Sequence, residues 1–509
     1  MISKFFDGLI EQIYNSVKTA NHNIAMVCYS NDMTILQLDS VKKYSEDKDV
    51  ILSCVEFSYN KLAGAYEPFI NIICDMHREY IGGDFGEFLD SCDVYKLQRE
   101  MLITYYEKGI CIRKEPVLLD EVNYERSRLD KVMRNMMEKI AQVKPFVIVI
   151  NRFQKASRSS VEFARYLVDN PIGNFGMILG VNESQLTHGS GVRYWENIRE
   201  TLDNYNMVYH IGNTGIRKAS NHEEKEDDLE EVYINAVNIY ELLDYDTADR
   251  YYRRKSYLWY EDLSDEDTFL LIKIAYKYVS ALILSGNMAR AIELIGKLSR
   301  RCIKGHEHEI QFWAAKERAR CYSYQGKLER ALEQVEIARK EAAITGDEKM
   351  IFEADLLEIE SKMSGWHNLL FVAEDIQIDP ELIARLMKYE YKNYLAHIYV
   401  YSYDNDPGTI AMASRSEAFL KYFSQGIAIA KEIDNEVLLY NAYQKNLMIA
   451  ATNGMSDIAL LFDVRMYQSV KDKKSLEGAR VLSSIGYNLS ASGYTQEAFC
   501  YFDRAIELL

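Results

Sequence analysis

The sequence predicts an α/β domain with a parallel sheet, followed by an all-α helical-repeat solenoid, and three observations carry that prediction. Five runs dominated by apolar residues, Ile24 to Cys28, Val50 to Cys54, Phe146 to Ile150, Met177 to Val181 and Met207 to Ile211, are too short for helices and suit buried parallel strands. From about Glu231 onward no strand-like alternation competes with the helical period. Finally, 6 Pro and 25 Gly in 509 residues are fewer turn-makers than an all-β chain requires, which favours long helices.

Taken in order, the chain opens on an amphipathic helix. Phe5, Phe6, Leu9, Ile10, Ile13, Tyr14 and Val17 share one face, and the polar face has too few Lys and Arg to favour a lipid surface. Phe146 to Ile150 is the clearest strand, since it follows Pro145 and holds four β-branched residues in a row. Val161, Phe163, Ala164, Leu167 and Val168 keep helical spacing before the next strand, so strands and helices alternate and the sheet is expected to be parallel. Near His222 the pattern breaks into an acidic run, read as a solvated linker. The expected organisation is therefore an α/β domain over 1–215, an acidic linker with connecting helices over 216–264, and helical repeats over 265–509.

Composition narrows the function. Lys and Arg number 60 against 77 Asp and Glu, a net charge of -17, which disfavours nucleic acid and anionic lipid as partners. No apolar run approaches the roughly 20 residues that cross a bilayer, and the N-terminus lacks a signal-peptide core, so a cytoplasmic location is expected. The 8 cysteines form no C-x-x-C pair and the 9 histidines no H-E-x-x-H. His306 and His308 sit two places apart, on different faces of a helix. No metal site, disulfide framework or cofactor is expected from these spacings.

The second half repeats a frame. Gly326, Ala331, Val335 and Ala338 are matched by Gly493, Ala498, Phe502 and Ala505: Gly five before an anchor Ala, a large apolar residue four after it, Ala seven after it. Gly286, Ala291 and Ile295 follow the same frame, as do Gly454 and Ala459, though Asp463 takes the apolar place. Weaker candidates lie around Gly365 and Ala418. Gly can end the first helix of a hairpin with positive φ, and the small Ala lets the second helix pack closely. On these residues, with Ile485, Gly486 and Leu489, the region 265–509 resembles the tetratricopeptide repeat family, in the variant of about 40 residues per unit used by bacterial regulators. The resemblance implies a concave surface that binds a peptide or protein.

A nucleotide-binding reading of the first half requires a phosphate loop after the first strand. Laid over G-x-x-x-x-G-K-[ST], only Thr34 fits: Val27 and Asp32 hold the Gly places and Met33 the Lys place. The segment Phe146 to Val161 resembles the second nucleotide motif of the STAND-type signalling ATPases, an AAA-like class, where an apolar strand ends in acidic residues before an aromatic-rich turn and a serine-rich helix start. Ile178 to Ser184 resembles that family's next strand. The resemblance implies a P-loop-NTPase-like fold over about 1–215. This sequence departs where catalysis is sited, because Asn151 and Arg152 stand where the carboxylates that hold Mg²⁺ belong. A degenerate, pseudo-ATPase module without bound cofactor is the expectation.

Gly82 to Phe88 is similar to the GGDEF signature of diguanylate cyclases, but Phe85 takes the place of its second carboxylate, and an ordinary Gly turn is expected. The functional expectation is a non-catalytic signalling or scaffold protein that binds a peptide or protein partner through its repeats. The alternative is the sensory part of a larger regulator, with a diguanylate cyclase or transcription-regulating output domain beyond Leu509.

Overall fold

In the computed structural model the residues described are 2–19, 23–29, 35–47, 49–57, 63–118, 121–183, 192–204, 207–211, 228–255, 263–301, 303–367, 380–401, 417–452, 454–470 and 476–508. They form two compact units, one of residues 1–113 with 122–294 and one of residues 114–121 with 295–509.

The first unit is built on five strands, β1 (Ile24–Tyr29), β2 (Ile51–Glu56), β3 (Phe146–Asn151), β4 (Phe175–Asn182) and β5 (Val208–Ile211), in the order β2-β3-β4-β1-β5. Every pairing is parallel. All five expected runs are thus strands. The three inner ones, β3, β4 and β1, are buried along their whole length, which is why their sequences are continuously apolar.

Helix α1 (Ile2–Ser16) and helix α2 (Asp39–Tyr44) cover one face of the sheet. Phe6, Leu9, Ile10, Ile13 and Tyr14 of α1 pack against Ala25, Val27, Tyr29, Val147, Val149 and Ile178. At about 1.5–3 kcal/mol for each large side chain buried, this face is a main source of the unit's stability. It also accounts for the stripe that a membrane surface would otherwise have used, with Phe5 left half-exposed.

Between β2 and β3 run α3 (Phe69–Met76), α4 (Phe85–Ser91), α5 (Lys96–Lys108) and α6 (Val122–Val143). The Gly82-Gly83 string is a turn, with φ of 69° and 81°, and Asp84 caps α4 by accepting from the Glu87 amide at 2.9 Å. Helix α7 (Arg158–Asp169) links β3 to β4, and α8 (Val192–Asn204) links β4 to β5. The serine-rich start of α7 is capped by Ser157, whose hydroxyl accepts from the Ser160 amide at 3.2 Å.

Helices α9 (Leu229–Glu241), α10 (Tyr245–Lys255) and α11 (Asp265–Leu284) follow. The sequence places the divide between domains at 216–264, whereas α9 and α10 pack within the first unit. Buried polar groups explain this. Asn238 of α9 donates to the Gly109 carbonyl at 2.8 Å and accepts from the Cys111 amide at 2.7 Å. Asp244, just before α10, accepts from the Ser159 hydroxyl at 2.6 Å and its amide at 3.1 Å. The acidic run around His222 lies outside the described residues. The units divide inside α12 (Met288–Leu298), at Leu294.

The second unit continues with α13 (Glu307–Tyr324), α14 (Leu328–Thr345), α15 (Glu348–His367), α16 (Pro380–Lys388), α17 (Lys392–Tyr401), α18 (Glu417–Glu432), α19 (Glu436–Thr452), α20 (Ser456–Ser469), α21 (Leu476–Ala491) and α22 (Thr495–Ile506). Gly286, Gly326, Gly454 and Gly493 all adopt positive φ, 84°, 71°, 70° and 89°, between the helices of a hairpin. Their anchors Ala291, Ala331, Ala459 and Ala498 are buried. The expected frame is therefore physical at all four sites. Gly365 is different: it lies within α15 and ends no hairpin helix. Ala418 lies in the first turn of α18. The close approach in that region comes from Gly426 of α18, where an added Cβ would meet Val400 Cγ2 of α17 at 2.8 Å and the Ala396 carbonyl at 3.0 Å.

Residues 114–121 belong to this second unit through two buried glutamates. Glu115 accepts from the Asn393 and Tyr394 amides, each at 3.0 Å, at the start of α17. Glu121 accepts from the side-chain amides of Asn393 at 2.8 Å and Asn435 at 2.5 Å, with His397 Nε2 at 3.5 Å. Burial pushes the Glu115 carboxyl up to about 7, against the pull of its two amide bonds, and the nearby Glu121 charge adds to the rise.

Candidate functional site at the carboxyl edge of the sheet

In an open parallel sheet, ligands bind beyond the carboxyl ends of strands where the chain reverses its direction of travel across the sheet. That place lies at β1 and β4: the chain leaves β1 for the β2 edge, but leaves β4 across β1 for β5. The side chains gathered there come from the strand ends and the residues that follow them.

Asn151, at the end of β3, is fully buried. Its Oδ1 accepts from the Tyr29 hydroxyl at the end of β1, and its Nδ2 donates to Glu56 Oε1 at the end of β2, at 3.0 Å. The same Glu56 oxygen accepts from the Ile35 amide. Arg152 follows in a left-handed conformation, φ 55°. Its amide donates to the Tyr29 hydroxyl at 3.3 Å and its guanidinium to the Phe57 carbonyl at 3.2 Å. Gln154 Oε1 accepts from the Asn182 amide at the end of β4, at 3.0 Å. Gly180 completes the web, since a Cβ there would meet Asn151 Oδ1 at 2.8 Å.

Asn151 and Arg152 are brought to this edge with Glu56 and Tyr29. Val27 lies within β1, paired to Gly180 and Tyr209, and its side chain enters the core against α1. A phosphate loop read from Val27 is therefore strand for its first three places. Asp32, Met33 and Thr34 lie outside the described residues.

Sequence reasoning missed Tyr29 and Glu56, because their partners are 122 and 95 residues away. The available signal was the same in each strand, a polar residue closing an apolar run. It also missed a second group on the edge: Cys28 of β1, Glu183 just after β4 and His210 of β5 hold their donor atoms within 4.8 Å of one another. Glu183 Oε1 and His210 Nδ1 are 3.4 Å apart. Burial, and then the Glu183 carboxylate, push the Cys28 thiol up to about 12, so it is not an activated nucleophile. His306 and His308 do not converge; they bond Glu309 at 2.6 Å and Glu341 at 2.7 Å respectively.

No described protein family and no curated protein matches this sequence. Among solved structures, a signal transduction ATPase with numerous domains (STAND) protein with a tetratricopeptide repeat sensor from Pyrococcus horikoshii is similar at 10% identity and a TM-score of 0.43, over 96% of this chain and 87% of that one. Among the described residues no helix is long and apolar enough to cross a membrane.

Proposed function

We propose that this chain is a non-catalytic signalling or scaffold protein that recognises a peptide or protein through its helical repeats, with the sheet domain as a pseudo-ATPase module. The observation that carries the reading is Asn151. Phosphoryl transfer needs carboxylates that hold Mg²⁺ at such a strand end, together with backbone amides open to phosphate. Asn151 instead offers a neutral amide, fully buried and bonded to Tyr29 and Glu56. Among the described residues the web holds one carboxylate, Glu56, whose Oε1 accepts from both the Asn151 and the Ile35 donors.

The recognition half of the reading is supported by apolar residues on the last helices. Leu461 and Val464 of α20, Tyr487 of α21, and Phe499 and Ile506 of α22 are all exposed, Phe499 and Ile506 at 61% and 68%. Large aromatic and aliphatic side chains of this kind act as anchors in protein recognition.

Thermal melting with ATP and Mg²⁺ tests the first half. A ligand at 100 times its dissociation constant adds about 2.7 kcal/mol of stability, and a stabilisation of that order would overturn the reading that the sheet domain holds no nucleotide, whereas an unchanged melting curve is expected. For the second half, a binding partner retained by the full chain is expected to be lost from Tyr487→Ser and Phe499→Ser variants. Retention by both would move recognition away from these side chains.

A further inference from the structure

We infer that Cys28, Glu183 and His210 form a binding site for a divalent transition-metal cation of the Zn²⁺ class, one per chain, at the carboxyl edge of the sheet. The inference goes beyond the scaffold reading and does not depend on it. It starts from register. Cys28 lies directly opposite Val181 of β4 and His210 of β5, and Glu183 is two residues beyond Val181. Because side chains alternate along a strand, all three emerge on one face of the sheet. That is the face opposite α1, since Val27 and Tyr29 on either side of Cys28 pack toward α1. Strands β1 and β5 and the residue that follows β4 thus each contribute one donor, and the donor atoms lie within 4.8 Å of one another.

The donor set selects the cation. One sulfur, one imidazole nitrogen and one carboxylate oxygen suit Zn²⁺ or Co²⁺, whereas Mg²⁺ and Ca²⁺ require oxygen ligands throughout. Three protein ligands leave a fourth tetrahedral position for water, on the side where His210 and Glu183 are partly exposed. Charge supports the assignment as well. One thiolate and one carboxylate neutralise a divalent cation, with the imidazole as a neutral third ligand. Binding therefore displaces the Cys28 Sγ proton to solvent as the metal–sulfur bond forms.

The test is a Co²⁺ titration of the full chain after treatment with a chelator. A thiolate-to-cobalt charge-transfer band and tetrahedral d–d absorption saturating at one equivalent are expected, with about one proton released per metal bound at pH 8. Cys28→Ser is expected to abolish the charge-transfer band, and Cys500→Ser, at an exposed thiol, to leave it intact. Because Cys28 is buried, its variant is read only if its far-UV circular dichroism matches the parent. His210→Gln and Glu183→Gln, at exposed and half-exposed positions, supply the second arm, and each is expected to weaken Co²⁺ binding at least about tenfold. Absence of a band in the parent, a band that persists in a folded Cys28→Ser, or unaltered affinity in both His210→Gln and Glu183→Gln would each overturn the site.

Discussion

Asn488 of α21 donates its side-chain amide to the buried Asp463 carboxylate of α20 across 2.6 Å. Asp463 occupies the place in the repeat frame that Ile295 and Val335 fill with apolar side chains. Here the hairpin contact is polar, and burial raises the Asp463 pKa while the Asn488 and Ser484 hydrogen bonds oppose the rise. Asn488→Ala is expected to destabilise the protein by about 1.5–3 kcal/mol in urea unfolding, since a buried carboxylate loses one of its two donors. The double variant Asp463→Leu/Asn488→Leu restores an apolar contact and is expected to recover most of that loss. Additive losses in the double-mutant cycle would show that the two side chains are not coupled.

Glycine positions in the helices are expected to separate sharply. Gly426→Ala places a methyl 2.8 Å from Val400 and 3.0 Å from the Ala396 carbonyl, and Gly486→Ala places one 2.8 Å from the Phe502 ring. Each is expected to cost about 1–3 kcal/mol from overpacking. Gly8 sits on the exposed side of α1 with open space around it, so Gly8→Ala is expected to stabilise by up to about 1 kcal/mol. Thermal melts of the three variants side by side decide the point.

Glu115 gives the stability a pH dependence of known sign. Burial raises its folded pKa to about 7, above the 4.5 of a free glutamate. Its contribution is therefore fully present below pH 4.5 and is lost as the pH rises through 7, where the buried carboxyl is forced to ionise. Glu115→Gln removes that titration. Whatever the difference in Tm between the parent and this variant at pH 5, it is expected to shift in favour of the variant by pH 8. A difference that stays constant from pH 5 to pH 8 would show that Glu115 titrates normally.

Asn151→Asp reintroduces the carboxylate that phosphoryl-transfer sites use, but against Glu56 at hydrogen-bond distance. The substitution removes the amide donor and sets like charges together in a buried position. A loss of about 2–4 kcal/mol at pH 7 is expected, shrinking as the pH falls and the pair takes up a shared proton. Urea unfolding at pH 7 and pH 3.5 measures both values, and equal losses at the two pH values would refute the charge explanation.

The fold was legible wherever the signal is local. Apolar runs such as Phe146 to Ile150 must be buried on both faces, and the Gly326 to Ala331 frame states a hairpin within six residues. The strand order was not legible, because parallel pairing between β1 and β4 joins residues some 150 positions apart. Nor was the carboxyl-edge site: Asn151 was singled out for what it lacks, while Tyr29 and Glu56, which determine what it does, belong to other strands. Cys28, Glu183 and His210 are likewise adjacent only after the sheet has formed. The place of α9 and α10 was hidden for the same reason, since Asn238 and Asp244 look like surface polar residues until Gly109, Cys111 and Ser159 are set beside them.

The docking of residues 114–121 alters what it means to take the molecule apart. The chain leaves the first unit after Arg113 and rejoins it at Val122, so the second unit holds a peptide whose two ends both continue into the first. A single backbone cut anywhere between 122 and 294 leaves that peptide attached to the N-terminal fragment and still seated on Asn393, Tyr394 and Asn435. Nicked protein should therefore run as one species on gel filtration and separate only in denaturant. A C-terminal fragment produced by itself would lack the carboxylates that satisfy the start of α17, and its failure to bind a partner would report a missing piece of its own interior.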